Sequence, residues 1–171
     1  MAFKGILSEK VGIIEGVIDT GIIVIAHFDN PARKATFNFL KEVLLWRRKC
    51  LIPVTTIIGA YHIMTKYLGV EEVSACKALT KTLETRSPAF YEDINIDSAL
   101  DSLTYALAYR IESWDGYIVH LARKYRAPII YSVDQELARK VKGVTVVNPI
   151  PPNIFAEYNK WLNERLRVPR A

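Results

Sequence analysis

The chain has 171 residues, half of them hydrophobic and 24% charged, a composition that fits one folded domain and excludes a disordered or fibrous chain. Its 23 basic and 18 acidic residues leave a net charge of +5, which permits an anionic partner without requiring one. No apolar run approaches the roughly 20 residues of a membrane span, and the opening MAFKGILSEKVGIIEG has no clean signal-peptide core, so no membrane association is expected and cytoplasm is the expected compartment.

Val17 and Ile18 form the end of a first strand buried on both faces, and the apolar GIIVIA after Asp19 fits a buried strand and its exit. HFDNP has turn chemistry. From about Ala32 to Arg48, Phe37, Phe39, Leu40, Val43, Leu44 and Trp46 recur at helical spacing. Cys50 to Val54 reads as a short strand, followed by a helix capped by Thr55 or Thr56 that runs to about Leu68 and is closed by Gly69. Cys50 and Cys76 show no CxxC pattern and read as two buried thiols in a reducing compartment.

Glu71 to about Thr85 is a helix with one polar face, and Ala89 to Ile94 a short strand. Asp97 is placed as the cap of a helix carrying Ala99, Leu100, Leu103, Ala106 and Leu107. Trp114 to Tyr125 is helical behind the cap candidate Ser113. Ile129 to Val133 is a strand, Gln135 to Val141 a helix, and Val144 to Val147 a closing strand. Pro149, Pro151 and Pro152 interrupt the chain before an amphipathic helix with Ile154, Phe155, Tyr158, Trp161 and Leu162. Strands alternating with helices predict an α/β fold, a mostly parallel sheet between two helical layers. Residues 1–150 are expected to form that domain, with 151–171 a C-terminal helix packed on it or on a dimer partner.

Asp19, Asp115 and Asp134 each sit where an apolar segment meets a turn or helix start, in GVIDTGIIVIA, SWDGYIVHLA and PIIYSVDQELA. A single Asp in such a place is ordinarily a turn former or an N-cap. Three in this order would gather on the sheet edge where α/β proteins build their sites. Carboxylates collected there raise one another's pKa unless a cation intervenes, and a hard divalent ion suits an all-oxygen site.

VIDTGIIVIAHF, IPVTTIIGAYHIM and SWDGYIVHLARKYRAPIIYSVD, with the final short strand, resemble a PIN domain, in particular the small virulence-associated-protein-C (VapC) toxins. The resemblance covers about Val17 to Asn148. It implies a three-layer α/β/α sandwich and a Mg²⁺- or Mn²⁺-dependent ribonuclease acting on RNA, commonly a homodimer and often held by an antitoxin protein. In that family Asp19 matches the principal metal ligand, Asp115 a second ligand or the group orienting the attacking water, and Asp134 an outer or second-metal ligand. The family's Glu early in the helix after the second strand is absent: Gly59 stands there, or Ala60 if the register slips by one.

Thr20 is positioned either to bond Asp19 or a phosphate, or to form the turn. His62, one turn beyond Gly59, is placed to reach the cleft, although a histidine on an apolar helix is ordinarily a packed core residue. Gly116 allows close backbone approach or simple helix packing. A homodimer is expected from the aromatic side of the last helix and the apolar residues of the Ala32–Arg48 helix. A PIN-like module that has lost catalysis and binds RNA or protein is the alternative function, supported by the missing Glu. An aspartic protease needs a second Asp-Thr-Gly loop, a phosphoacceptor receiver an acidic pair and a late Lys, and a nucleotide site a Gly-rich loop; none is present.

Overall fold

The computed structural model describes residues 13–167; residues 1–12 of the N-terminal segment read above for a leader fall outside them. Elements follow in the order β1 (Gly16–Ile18), α1 (Thr20–His27), α2 (Arg33–Leu44), β2 (Cys50–Pro53), α3 (Val54–His62), α4 (Glu72–Glu84) and β3 (Phe90–Tyr91). The second half contributes α5 (Ile96–Tyr109), α6 (Ser113–Lys124), β4 (Ile129–Tyr131), α7 (Gln135–Lys140), β5 (Thr145–Val147) and α8 (Pro152–Arg167). The five strands form one sheet in the order β3-β2-β1-β4-β5, and every neighbouring pair is parallel.

Side chains alternate across this short sheet, so adjacent residues of one strand feed opposite layers. Ile18, Ile52 and Tyr131 enter a core with α1 to α4 and α8, whereas Val17, Leu51 and Ile130 enter a second core with α6 and α7. The result is the expected three-layer sandwich. The chain adds strands on one side of β1 as far as β3, then returns to the other side with β4. The gap between the ends of β1 and β4 is therefore a topological switch point, where ligands enter open α/β sheets.

The run GIIVIA is not a strand. It is the body of α1, with Ile22, Ile23, Val24, Ile25 and Ala26 all buried. A helix apolar all round reads like a buried strand over so few residues, and the Asp19 side chain, accepting from the Thr20 N–H, starts it as a helix. α2 ends at Leu44 rather than Arg48, because Trp46 turns left-handed at φ 59°. α3 has Pro53 at its N-cap, and Thr56 donates back to the Pro53 carbonyl instead of capping. A π-helical stretch, Ile63–Tyr67, extends α3 toward Gly69, whose φ of 64° ends it.

The cap of α5 is Asn95, in a reciprocal capping box with Ser98, and Asp97 lies within the first turn. Glu112, not Ser113, holds the cap position of α6. Cys50 is buried as expected but Cys76 is exposed on α4. On α8, Tyr158 is buried, with Phe155 and Trp161 packed against the same core, and Trp161 meets Phe28 at 5.8 Å between centroids. These aromatics cover the body of the protein and are not a free surface. No described helix is long and apolar enough to cross a membrane.

Candidate functional site

Asp19 follows β1 directly, and its backbone N–H still belongs to the sheet, bonding the Tyr131 carbonyl at 3.0 Å. Its side chain is therefore fixed at the switch point and 92% removed from solvent, with 8% exposed. One oxygen accepts from the Thr20 N–H at 2.6 Å and the other from the Ser132 hydroxyl at 2.6 Å. Burial pushes the Asp19 carboxyl up, the Ser132 and Thr20 hydrogen bonds pull it down, and the charge of Asp134 raises it further.

Ser132 is the residue that sequence reasoning missed. It is buried, stands first after β4, and its hydroxyl oxygen also accepts from the Asp134 N–H at 3.0 Å. One side chain thus ties the ends of β1 and β4 together. The signal was available, since a small polar residue in an apolar strand end two positions before an Asp needs a partner once buried.

Asp134 is exposed and caps α7, one oxygen accepting from the N–H groups of Glu136 at 2.7 Å and Leu137 at 3.2 Å. The ordinary N-cap role is real here, and it coexists with the approach to Asp19. Asp115 comes from the opposite layer, in the first turn of α6. Burial raises its carboxyl to about 7, with further contributions from the charges of Asp19, Asp134 and Glu112. The three aspartates named from sequence therefore act on one another across the two layers. α6 can bring Asp115 in because Gly116 lets α5 approach: a Cβ there would collide with the Ser102 carbonyl oxygen and stand 3.0 Å from the Ala106 nitrogen.

Thr20 opens α1, and Gly59 faces it: a Cβ on Gly59 would lie 3.4 Å from the Thr20 methyl and 3.7 Å from its hydroxyl. Ala60 instead is fully buried in the core with α1. The side of α3 that looks toward Asp19 is thus the Gly59 side. His62 is exposed, and its ring sits edge-on to Tyr67 at 5.6 Å, a local contact along its own helix.

Among the described residues no three His, Cys, Asp or Glu side chains form a group spaced to hold a metal ion. An all-protein cage does not fit. The mutual repulsion registered at Asp115 does fit a cation held by one or two carboxylates, with waters and a substrate phosphate completing the shell, as Mg²⁺ ordinarily binds.

Five parallel strands between helical layers, with aspartates at the switch point, define a PIN-like fold. Three solved structures share it. A chain of a toxin–antitoxin complex from Klebsiella pneumoniae matches at TM-score 0.52 and 20% identity, over 78% of this chain and 97% of that one. PAE2754 from Pyrobaculum aerophilum matches at 0.57 and 18%, over 95% and 96%. VapC20 from Mycobacterium tuberculosis, a sarcin-ricin loop cleaving toxin, matches at 0.54 and 13%, over 72% and 92%. No family model and no curated protein matches the sequence.

Proposed function

We propose that this chain is a ribonuclease that hydrolyses RNA phosphodiester bonds at Asp19, Asp115 and Asp134, and that it is the toxin of a toxin–antitoxin pair. The observation that carries the proposal is Asp115, whose carboxyl is lifted to about 7 by burial and by Asp19 and Asp134 at the switch point. Purely structural acids have no reason to be brought together against their own repulsion. The antitoxin is supported by the shared fold with a chain from a toxin–antitoxin complex.

Asp19 and Asp115 would hold Mg²⁺ or Mn²⁺, and the ion would supply positive charge for activating water and stabilising the phosphate in the transition state. Asp19 is oriented for this by Ser132 and the Thr20 N–H. Asp115, whose carboxyl is raised to about 7, is suited to orient the attacking water and accept its proton. Asp134, with one oxygen engaged in the α7 cap, would offer the other as an outer ligand.

Trp114 supplies the contact to a base. Leu121, two turns further along α6 on the same side, is fully buried against the sheet. Trp114, in the first turn of α6 next to Asp115, remains 59% exposed. An aromatic face so placed suits stacking on an unpaired base of single-stranded RNA.

The test is cleavage of single-stranded RNA by the purified chain with Mg²⁺ or Mn²⁺, comparing wild type with Asp19→Asn. Metal-dependent cleavage lost in the variant is expected. A second reading, a module that binds RNA or protein without cutting, is favoured by Gly59 in place of a carboxylate on α3. RNA binding or antitoxin capture without cleavage or Mn²⁺ uptake would establish it instead.

A further inference from the structure

α5 packs mainly on one neighbour, α6. Ile96, Leu100, Leu103 and Leu107 stay outside this contact and are exposed. The inner face of α5 is carried by Ser98 and Ser102, both buried, and by Ala106 against Gly116. Its larger apolar contacts, Tyr105 and Tyr109, lie in the C-terminal half. There the Arg123 guanidinium lies over the Tyr105 ring at 5.4 Å and donates to the Tyr109 hydroxyl at 2.7 Å. The first half buries little apolar area, so polar contacts decide how firmly it sits. Just ahead of the helix, the Tyr117 hydroxyl donates to the Asp93 carbonyl at 2.9 Å. Within the helix the tie is Asp101, whose Oδ2 lies 3.2 Å from Nδ1 of His120 on α6.

His120 is only 7% exposed. An ionised carboxylate can only accept, so Nδ1 carries the ring proton and Nε2 of the neutral imidazole bears a lone pair. Nε2 is buried and has no hydrogen-bond partner among the described residues. Ser98 and Ser102, the hydroxyls on the facing side of α5, donate instead to the Asn95 and Ser98 carbonyls. The groups that bear on the ring are Asp101 from α5, Lys124 one turn further along α6, and the Tyr117 ring, stacked on it at 6.4 Å. An idle lone pair costs the neutral ring one hydrogen bond. The protonated ring would bury a charge and an N–H without an acceptor, which costs far more.

We propose that His120 is a pH-sensitive latch on α5: the neutral ring holds the first half of the helix on α6 through Asp101, and protonation of Nε2 releases it. The arriving proton turns an unpaired acceptor into an unpaired donor, which meets water only when this stretch of α5 moves off. Burial lowers the His120 pKa below the ordinary histidine value; Asp101 opposes the shift without reversing it, and Lys124 adds to it. Asp101 cannot keep the latch shut by its charge, because its side chain is 61% exposed and water screens the attraction. With the docked pKa below the ordinary value of about 6.5, the latch is closed above about pH 6.5 and weakens as pH falls below it. Arg123 does not titrate in this range, so the C-terminal half stays attached and release is confined to residues ahead of Tyr105. Gly116 lies against Ser102 in the same contact, so release also frees the first turn of α6, next to Asp115. The latch does not depend on whether the chain cuts RNA.

The experiment is hydrogen–deuterium exchange on the purified chain from about pH 7.5 to about pH 5.5, corrected for the intrinsic pH dependence of exchange. Protection of the amides of residues 96–103 should fall several-fold over this interval. The ceiling is about ten-fold, the most that a released histidine of pKa about 6.5 can contribute there. The amides of β1 and β4 should keep their protection. His120→Gln can still donate to Asp101 but takes up no proton, so its α5 protection should not change with pH. The difference between the two proteins isolates His120 from His27 and Asp115, whose shifts also make stability depend on pH. His120→Phe should behave as His120→Gln does, and serves if the glutamine variant fails to fold. NMR titration of the wild type should give a His120 ring pKa below about 6.5. The latch is overturned by α5 protection that ignores pH in the wild type, by the same pH dependence in either variant, or by a ring pKa at or above the ordinary value. A loss spread equally over α5, β1 and β4 would mean global unfolding and would overturn it too.

Discussion

Ser132 donates its hydroxyl proton to Asp19 at 2.6 Å across the gap between β4 and β1, while its oxygen receives the Asp134 N–H. Ser132→Ala leaves the buried Asp19 oxygen without this donor. A hydrogen bond to a charged group contributes about 1.5 to 3 kcal/mol, so the variant should lose that much stability at a pH where Asp19 is ionised and less where it is protonated. Denaturant melts at two pH values check this. Ser132→Thr should restore most of the loss by keeping the hydroxyl.

The pH dependence of stability has a definite sign. Asp115 is raised to about 7 in the folded protein, against about 4 in an unfolded chain. Between those values the folded state holds a proton that the unfolded state has released. The contribution of Asp115 is therefore full below about pH 4, falls as pH rises, and is gone above about pH 7. Asp19, raised as well, acts in the same direction. Asp115→Asn removes the titration, so stability measured against wild type should increase from about pH 4 to about pH 7. A difference independent of pH would contradict the coupling of the three aspartates.

Gly59→Glu should introduce a carboxylate on the side of α3 that faces Thr20, with room for the Cβ. We expect tighter Mn²⁺ binding by calorimetry, faster RNA cleavage, and a helix favoured by up to about 1 kcal/mol from the loss of a mid-helix glycine. Asp115→Asn in that background should cancel the gain in binding. Ala60→Glu should instead unfold the chain, since it puts an unpaired charge into a fully buried position.

Trp114→Ala should weaken binding of single-stranded RNA by about 1 to 3 kcal/mol, the usual contribution of one base stacked on an aromatic ring. Fluorescence anisotropy with a labelled strand measures it. Trp114→Phe should recover much of the loss, and affinity for duplex RNA should move little, because its bases offer no free face. Equal losses on both RNAs would mean that Trp114 positions the helix and does not touch a base.

The sandwich was legible because β1, β2 and β4 are buried on both faces and each is bounded by turn chemistry. Asp19 and Asp134 were legible because each ends an apolar segment, and Asp115 because it falls in the first turn of a helix. Ser132 was not, because its importance lies in a contact with a residue far away in sequence. The GIIVIA segment misled for a different reason: six residues apolar on every side carry no periodicity to separate helix from strand. For α5 the periodicity was read correctly, but periodicity alone carries no direction. A stripe of leucines reports that a helix has an apolar face; which neighbour covers it depends on packing, and Ser98, Ser102 and Ala106 turned out to make the tighter fit to α6.

The 113 positions that separate Asp19 from Ser132 have a meaning for the birth of the molecule. β1 is made well before its β4 neighbour, which is followed directly by the residue that orients Asp19. A nascent or prematurely ended chain lacking β4 has no Ser132, no Asp134 and no switch point. Non-local pairing of this kind delays folding until both ends are present. The site therefore takes shape only once β4 and the residues after it have been made.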